Sequence, residues 1–292
     1  MQQHTTCLVC KSNNIKQLAN YYESKGLIKC KKCGFVFMEQ IPTFDELDAH
    51  YKTYSYASEQ YLSPLTIERY NLLLDEFEQY RKTNKLLDVG CGMGYFLIQA
   101  KKRGWEVYGT EYSETAVSIC EKEGVEMRKG QLTPELFTNE SFDVITSFEV
   151  LEHINNPNEE LQLIHQFLRK DGLFYCTTPN FNSLMRYYLK SDYDVITYPE
   201  HLSYYIKKTL NRMITQNGFR KVKFLSTGIS ITRIKTSKKM SNERIIANDN
   251  SDEKLRVNIS KKWYLKAAKE LVNKLLTISN SGLTLKGYYE KK

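Results

Sequence analysis

The 292-residue chain has no run approaching the ~18 consecutive apolar residues that would cross a bilayer. Its first six residues show neither the basic nor the apolar region of a secretion signal, so the cytoplasm is the expected compartment. Glycine (14) and proline (6) are scarce, which excludes collagen-like and low-complexity chains. The 41% of hydrophobic and 12% of aromatic residues can build a buried core, and the length allows about two domains. Most of the chain also lacks an excess of basic charge. Residues 231–292 hold 15 Lys+Arg against 6 Asp+Glu, leaving 27 against 28 in the first 230 residues. A nearly neutral body is not that of a nucleic-acid reader, whose basic face belongs to its folded module. The basic end suits an anionic substrate, a membrane surface or simply a solvated lysine-rich edge.

Four of the seven cysteines form two Cys-x-x-Cys pairs, Cys7/Cys10 and Cys30/Cys33, separated by 19 residues. A tight turn between paired thiolates lets both reach one tetrahedral ion, so this spacing predicts a structural zinc site. A disulfide framework fits a cytosolic chain poorly, and a redox motif explains one pair but not two. Gly34 suits the turn after the second pair, and Phe35, Val36 and Phe37 read as a short strand. Cys91, Cys120 and Cys176 read as small core residues.

Residues 1–40 therefore form a zinc-ribbon module, and 41–84 a linker with capping helices, in which Ile67, Tyr70, Leu73, Leu74 and Phe77 keep helical spacing. Tyr51, Tyr54, Tyr56 and Tyr61 serve either core packing or a substrate mouth. From residue 85 strands and helices alternate: strands over 85–89, 105–110, 125–128, 142–148 and 173–178, and helices over 95–103, 113–123 and 158–168. Such alternation predicts an α/β domain with a mainly parallel sheet covered on both faces, and ligands beyond the carboxyl ends of its strands.

The turn after the first of these strands reads Asp88-x-Gly90-x-Gly92-x-Gly94, which is neither the dinucleotide fingerprint nor a phosphate loop. An acid before a glycine-rich turn suits a ligand carrying an ammonium group, and Glu111, at the end of the next strand, can accept from both hydroxyls of a ribose. That chemistry is S-adenosylmethionine.

The motifs Leu87-Asp-Val-Gly-Cys-Gly-Met-Gly-Tyr, Gly109-Thr-Glu-Tyr-Ser, Phe142-Asp-Val-Ile-Thr-Ser-Phe-Glu-Val-Leu-Glu-His-Ile and Thr178-Pro-Asn resemble those of class I S-adenosylmethionine-dependent methyltransferases, above all the ubiquinone-type O-methyltransferases. His201-Leu-Ser-Tyr-Tyr, Asn217-Gly-Phe and the closing Gly282-Leu-Thr-Leu-Lys-Gly-Tyr-Tyr fit the same branch. The cysteine-rich front resembles a subset with an N-terminal zinc knuckle whose members often modify sugars, including those of surface polysaccharides. The resemblance implies a Rossmann-like seven-stranded methyltransferase sheet over 85–292, interrupted by an insertion at 227–281.

It also implies roles. Asp88, Gly90, Cys91, Gly92 and Gly94 would surround the methionine part, Glu111 the ribose, and Tyr112 and Gln131 the adenine, with Phe148 and Glu149 beside the sulfonium. His153 is the candidate base, on the expectation that imidazole titrates near neutrality. Glu149, Glu152 and His153 stand at i, i+3 and i+4, sharing a face on a helical turn; in the ubiquinone-type enzymes this set is associated with a divalent ion such as Mg2+. The alternative is that the set only braces the turn. His201 is either a second acid/base residue or a packed histidine, while His4 and His165 are expected at the surface.

In the insertion, residues 236–253 read as a polar loop, and 261–278 as a basic amphipathic helix that either packs over the cleft or meets a membrane. The whole predicts transfer of a methyl group to an oxygen of a saccharide or related small molecule. The rivals are C-methylation of a nucleotide-linked deoxysugar, a non-catalytic S-adenosylmethionine-fold binding protein, and RNA modification, which the neutral body disfavours.

Overall fold

The computed structural model describes residues 2–19, 22, 25–43, 45–47, 49, 62–193, 195–229 and 262–292. The tyrosines at 51–61 and the polar loop at 236–253 lie outside the described residues. At its centre is a seven-stranded sheet made of β6 (Lys85–Val89), β7 (Glu106–Glu111), β8 (Glu126–Lys129), β9 (Phe142–Phe148), β10 (Leu168–Pro179), β12 (Phe219–Thr227) and β13 (Thr284–Lys291), in the order β12-β13-β10-β9-β6-β7-β8. All neighbours run parallel except β13, which is antiparallel to both β10 and β12. Strand order switches direction at β6, so the crevice beyond the carboxyl ends opens there.

Local chemistry explains the elements. The middle of β6 is apolar and buried because helices cover both faces. Helix α1 (Pro64–Phe77) starts with Ser63 accepting from Thr66 N–H and proline at its first position, and buries Leu74 and Phe77. Helices α2 (Tyr95–Lys102), α3 (Glu114–Lys122) and α4 (Pro157–Phe167) follow β6, β7 and β9, and Ser113 caps α3 as its sequence suggests. Strand β10 begins five residues earlier than its apolar run implies, with a register shift between Leu168 and Leu173 and Asp171 in left-handed backbone. Beneath the sheet, Asp143 ties the chain together: one carboxylate oxygen accepts the N–H groups of Lys82, Thr83 and Asn84 at 2.7–2.8 Å, and the other meets Arg169. Burial pushes this carboxyl up, but Arg169 and the three amides outweigh it and hold it below its ordinary range.

The cysteine-rich front forms its own sheet from β2 (Ile15–Gln17), β3 (Leu27–Cys30) and β4 (Val36–Met38), completed by β11 (Ser203–Tyr204) from far along the chain. Two further short strands, β1 (Gln2–Gln3) and β5 (Gln40–Ile41), pair with each other. Cys7, Val9, Phe35 and Phe37 share one apolar cluster with Leu151, Leu161, Ile164 and Tyr205, so the front packs directly on the large sheet's α4 side. His4, expected at the surface, donates from Nε2 to Asn155 Oδ1 across this junction and meets the edge of Phe37; His165 packs its ring against Phe219. After β10 come the short helix α5 (Leu184–Leu189) and α6 (Lys207–Gln216), and α7 (Trp263–Ser279) precedes β13. Among the described residues no helix is long and apolar enough to cross a membrane.

Candidate active site

The glycine turn leaves β6 through three left-handed residues, Gly90, Gly92 and Gly94. Space as well as dihedral angle requires glycine at two of them. A Cβ on Gly90 would lie 2.7 Å from Val150 Cγ2, and one on Gly94 2.6 Å from Cys120 Sγ. Asp88 is fully buried at the base of the turn, accepting from the Thr146 hydroxyl at 2.7 Å. Burial pushes its carboxyl up to about 7; the Thr146 bond opposes this and the charge of Glu111 adds to it. Glu111 bridges the turn and the next helix: Oε2 accepts from Gly92 N–H at 2.9 Å, and Oε1 from Tyr112 and Ser113 N–H at 2.8 and 3.0 Å. The Tyr112 hydroxyl reaches Gln131 Oε1 at 3.4 Å, so the two residues assigned to the adenine do meet. Cys91 lies in the turn, half-buried and packed against the core cluster that holds Cys120 and Met127; Cys120 and Cys176 are buried.

Two residues at this end of the sheet escape sequence reasoning as site residues. Tyr70 of α1 packs against Phe96 and Phe148, with ring centroids 5.4 and 6.5 Å apart, and lies within electrostatic reach of Asp88. Glu160 of α4 lies within electrostatic reach of Tyr112, and burial pushes its carboxyl up to about 7. In sequence it reads only as a first-turn acid favoured by the helix dipole.

At the end of β9, Phe148 packs against Phe96 at 5.0 Å, and Glu149 turns the chain in left-handed backbone, its N–H donating to the Thr177 carbonyl at 3.0 Å. Residues 151–153 form a turn rather than a helix, so the expected i, i+3, i+4 face does not form. The groups that converge are Glu152, His153 and His201, whose ligand-type atoms all lie within 4.8 Å of one another. Glu149 is not among them. Glu152 is buried, its Oε2 accepting from the Thr178 hydroxyl at 2.9 Å while Oε1 has no hydrogen-bond partner. Burial and then the charge of Glu149 push its carboxyl well above the usual range. Its backbone carbonyl accepts from Leu202 and Ser203 N–H at 2.7 and 3.0 Å, which draws the His201 segment in.

His153 Nδ1 lies 2.8 Å from the Glu200 carbonyl, and His201 Nδ1 2.6 Å from the Val195 carbonyl. A carbonyl only accepts, so each Nδ1 carries the proton and each Nε2 the lone pair. The rings stand edge to face with centroids 4.7 Å apart, and His153 Nε2 is 4.0 Å from Glu152 Oε1. The expectation that His153 titrates near neutrality is corrected here: burial, and then the neighbouring His201, lower it to about 4. It is a neutral imidazole throughout the physiological range.

The four N-terminal cysteines also converge. Cys7 Sγ and Cys33 Sγ are 3.5 Å apart, as are Cys10 Sγ and Cys30 Sγ. Thiolates ~2.3 Å from a tetrahedral zinc ion would be about 3.8 Å from one another, so the set fits with slight expansion. The two turns match: Lys11 and Gly34, both in left-handed backbone, each donate at 2.9 Å to the carbonyl of the first cysteine of the pair. All seven cysteines are free thiols.

The family described as "Methyltransferase domain" matches residues 60–223. Among curated relatives, the chain is 34% identical over 104 residues to the ubiquinone biosynthesis O-methyltransferase of Ruegeria pomeroyi, covering 34% of this chain and 42% of that one. It is 32% identical over 105 residues to the same-named enzyme of Pseudomonas putida, covering 34% and 45%. The match thus spans less than half the length of either relative. Of solved structures, a SAM-dependent methyltransferase from Archaeoglobus fulgidus aligns with a TM-score of 0.52 and 22% identity over 78% of this chain and 93% of its own. A geranyl diphosphate C-methyltransferase from Streptomyces coelicolor, solved with Mg2+, geranyl diphosphate and S-adenosyl-L-homocysteine, aligns with a TM-score of 0.53 and 15% identity over 77% and 79%. These two likenesses concern the fold.

Proposed function

Because the chain belongs to the methyltransferase-domain family, we propose that it moves a methyl group from S-adenosylmethionine to a hydroxyl oxygen of a saccharide or related small molecule, as in surface-polysaccharide biosynthesis. The bound cofactor supplies an electrophilic methyl on a cationic sulfur. Asp88 faces its ammonium group, the bare backbone of Gly90, Cys91, Gly92 and Gly94 approaches the methionine part, and Glu111 exchanges amide partners for ribose hydroxyls. Tyr112 and Gln131 flank the adenine, and Phe148 and Glu149 border the methyl. In an in-line displacement, positioning provides much of the rate. A hydroxyl acceptor must also lose its proton as the bond forms, and His153 Nε2 accepts it. One observation carries this reading: the Glu200 carbonyl fixes His153 as the tautomer whose lone pair is at Nε2. Incubation with isotopically labelled cofactor and a panel of free and nucleotide-linked sugars, read by mass spectrometry and NMR, tests it. A methyl on carbon would favour the deoxysugar rival, and tight cofactor binding without transfer to any acceptor class would favour a scaffold.

A second reading rests on the buried, unpartnered Oε1 of Glu152 beside two histidines. Glu152, His153 and His201 would hold a divalent ion that lowers the pKa of an acceptor hydroxyl. Two imidazoles and one carboxylate suit zinc or manganese better than the magnesium implied by the resemblance. Loss of transfer on chelation, restored by one of these ions, would select this reading. The four N-terminal thiolates, by contrast, leave no open position, so we assign Cys7, Cys10, Cys30 and Cys33 to a structural zinc ion.

A further inference from the structure

Helix α7 is amphipathic in the wrong sense for a helix that simply covers a sheet. It is held to the end of β12 by a polar side: Asn273 Oδ1 accepts from Gly228 N–H at 3.0 Å, and the Thr277 hydroxyl donates to the Ser226 carbonyl at 3.0 Å while accepting from Ser226 N–H at 3.2 Å. Leu276, on that side, is its buried residue. At about 100° per residue, Tyr264, Leu271, Leu275 and Ile278 fall within an arc of roughly 60° centred opposite those contacts. They are 51%, 59%, 57% and 77% exposed, and Trp263 next to the arc is 82% exposed. This outer arc of α7 therefore points away from the sheet, while Leu276 faces it.

Single exposed apolar side chains are ordinary, but a stripe of them rimmed by charge marks an interaction surface. We infer that the outer face of α7 docks on an anionic membrane surface, with Tyr264, Leu271, Leu275 and Ile278 entering the boundary between headgroups and acyl chains. Charge complementarity favours this occupant over a second copy of the chain. The helix and the residue before it carry Lys262, Lys266, Lys269 and Lys274 against Glu270. Such a surface repels its own copy and is attracted to acidic lipid. Lys274 stands beside the apolar arc and Lys262, Lys266 and Lys269 opposite it, but a helix about 10–12 Å across keeps them within about one Debye length of the headgroups. Tryptophan and tyrosine at the start of the helix are the residues that favour this depth. Next to the helix end, Leu184 N–H donates to the Ser281 carbonyl, and Leu184, Tyr187 and Tyr188 of α5 are exposed as well. This is also the end of the sheet where the cofactor turn opens.

Cosedimentation of the full chain with vesicles of phosphatidylcholine alone, and with 30 mol% phosphatidylglycerol (roughly the acidic content at which surface attraction is strong), tests the inference. Binding is expected to the acidic vesicles, weakening at least about tenfold between low and high salt. The double substitution Leu271→Glu/Ile278→Glu removes it, while circular dichroism and cofactor affinity stay as in the wild type. Absence of binding to acidic vesicles would overturn the inference, as would binding that the double substitution leaves intact. Light scattering showing a dimer that the double substitution splits would overturn it too, since a second copy would then cover the face.

Discussion

The carboxyl of Asp88 makes the sharpest forecast. Buried beneath the glycine turn, it is pushed up to about 7 from an ordinary 3.8. If, as proposed, its carboxylate meets the ammonium group of the cofactor, binding must remove its proton. About one-tenth of the free protein carries the carboxylate at pH 6 and about nine-tenths at pH 8. The affinity for S-adenosylmethionine should therefore rise about tenfold between these values, with close to one proton released per binding event at pH 6. Calorimetry in buffers of differing ionisation enthalpy reads both quantities. Asp88→Asn should bind more weakly and without this slope. Glu160 is also pushed up to about 7, so Glu160→Gln is the necessary control and should keep the slope. For stability the sign runs the other way. A raised folded value means that the free protein loses stability as pH rises from about 4 to about 7, and cofactor should restore it above that range. An affinity flat from pH 6 to 8, or an undiminished slope in Asp88→Asn, would refute the argument.

His153→Ala should lower turnover by about 10²–10⁴-fold with cofactor affinity unchanged, and the wild-type acid limb of kcat, measured at saturating cofactor so that Asp88 does not enter, should fall near pH 4 rather than 6.5. Normal turnover in the folded variant would move the proton acceptor to His201. Cys30→Ser should lose one zinc per chain by metal analysis and unfold β2–β4, because metal binding there is folding energy. Asp143→Ala should cost about 3–5 kcal/mol in denaturant titrations, since it strands the buried Arg169 and three amides; a loss below about 1 kcal/mol would show that the pocket rehydrates.

The strands and helices from β6 to β9 were legible because the motif and the structure obey the same local rules. Glycine must occupy Gly90 and Gly94, and Asp88 and Glu111 stand at strand ends where chain direction alone places them. The thiolate set was legible for a similar reason, since ligand spacing is a property of one turn. What the sequence hid is non-local. Ser203 and Tyr204 show no sign of belonging with Val36 and Phe37, and nothing near His153 announces that His201 faces it across a loop. The depressed basicity of His153 comes from burial that no neighbouring residue encodes. Periodicity showed that α7 is amphipathic but not which of its arcs meets the sheet, because a stripe looks the same whether it faces a sheet or a solvent boundary.

Strand β11 is two residues long, and it removes the option of treating the front of the chain as an exchangeable part. Its outer partner is β4 of the cysteine-rich sheet, while Ser203 N–H also reaches the Glu152 carbonyl and His201 stands two residues before it. A truncation at residue 41, which the sequence invites, would strip this strand of its partner and loosen the histidine segment with it. The same stitch constrains recombination among relatives. A graft that supplied only the large sheet would need a donor loop able to hold Glu152 and His201 together unaided, and one that kept the front would have to keep residues 197–205 as well.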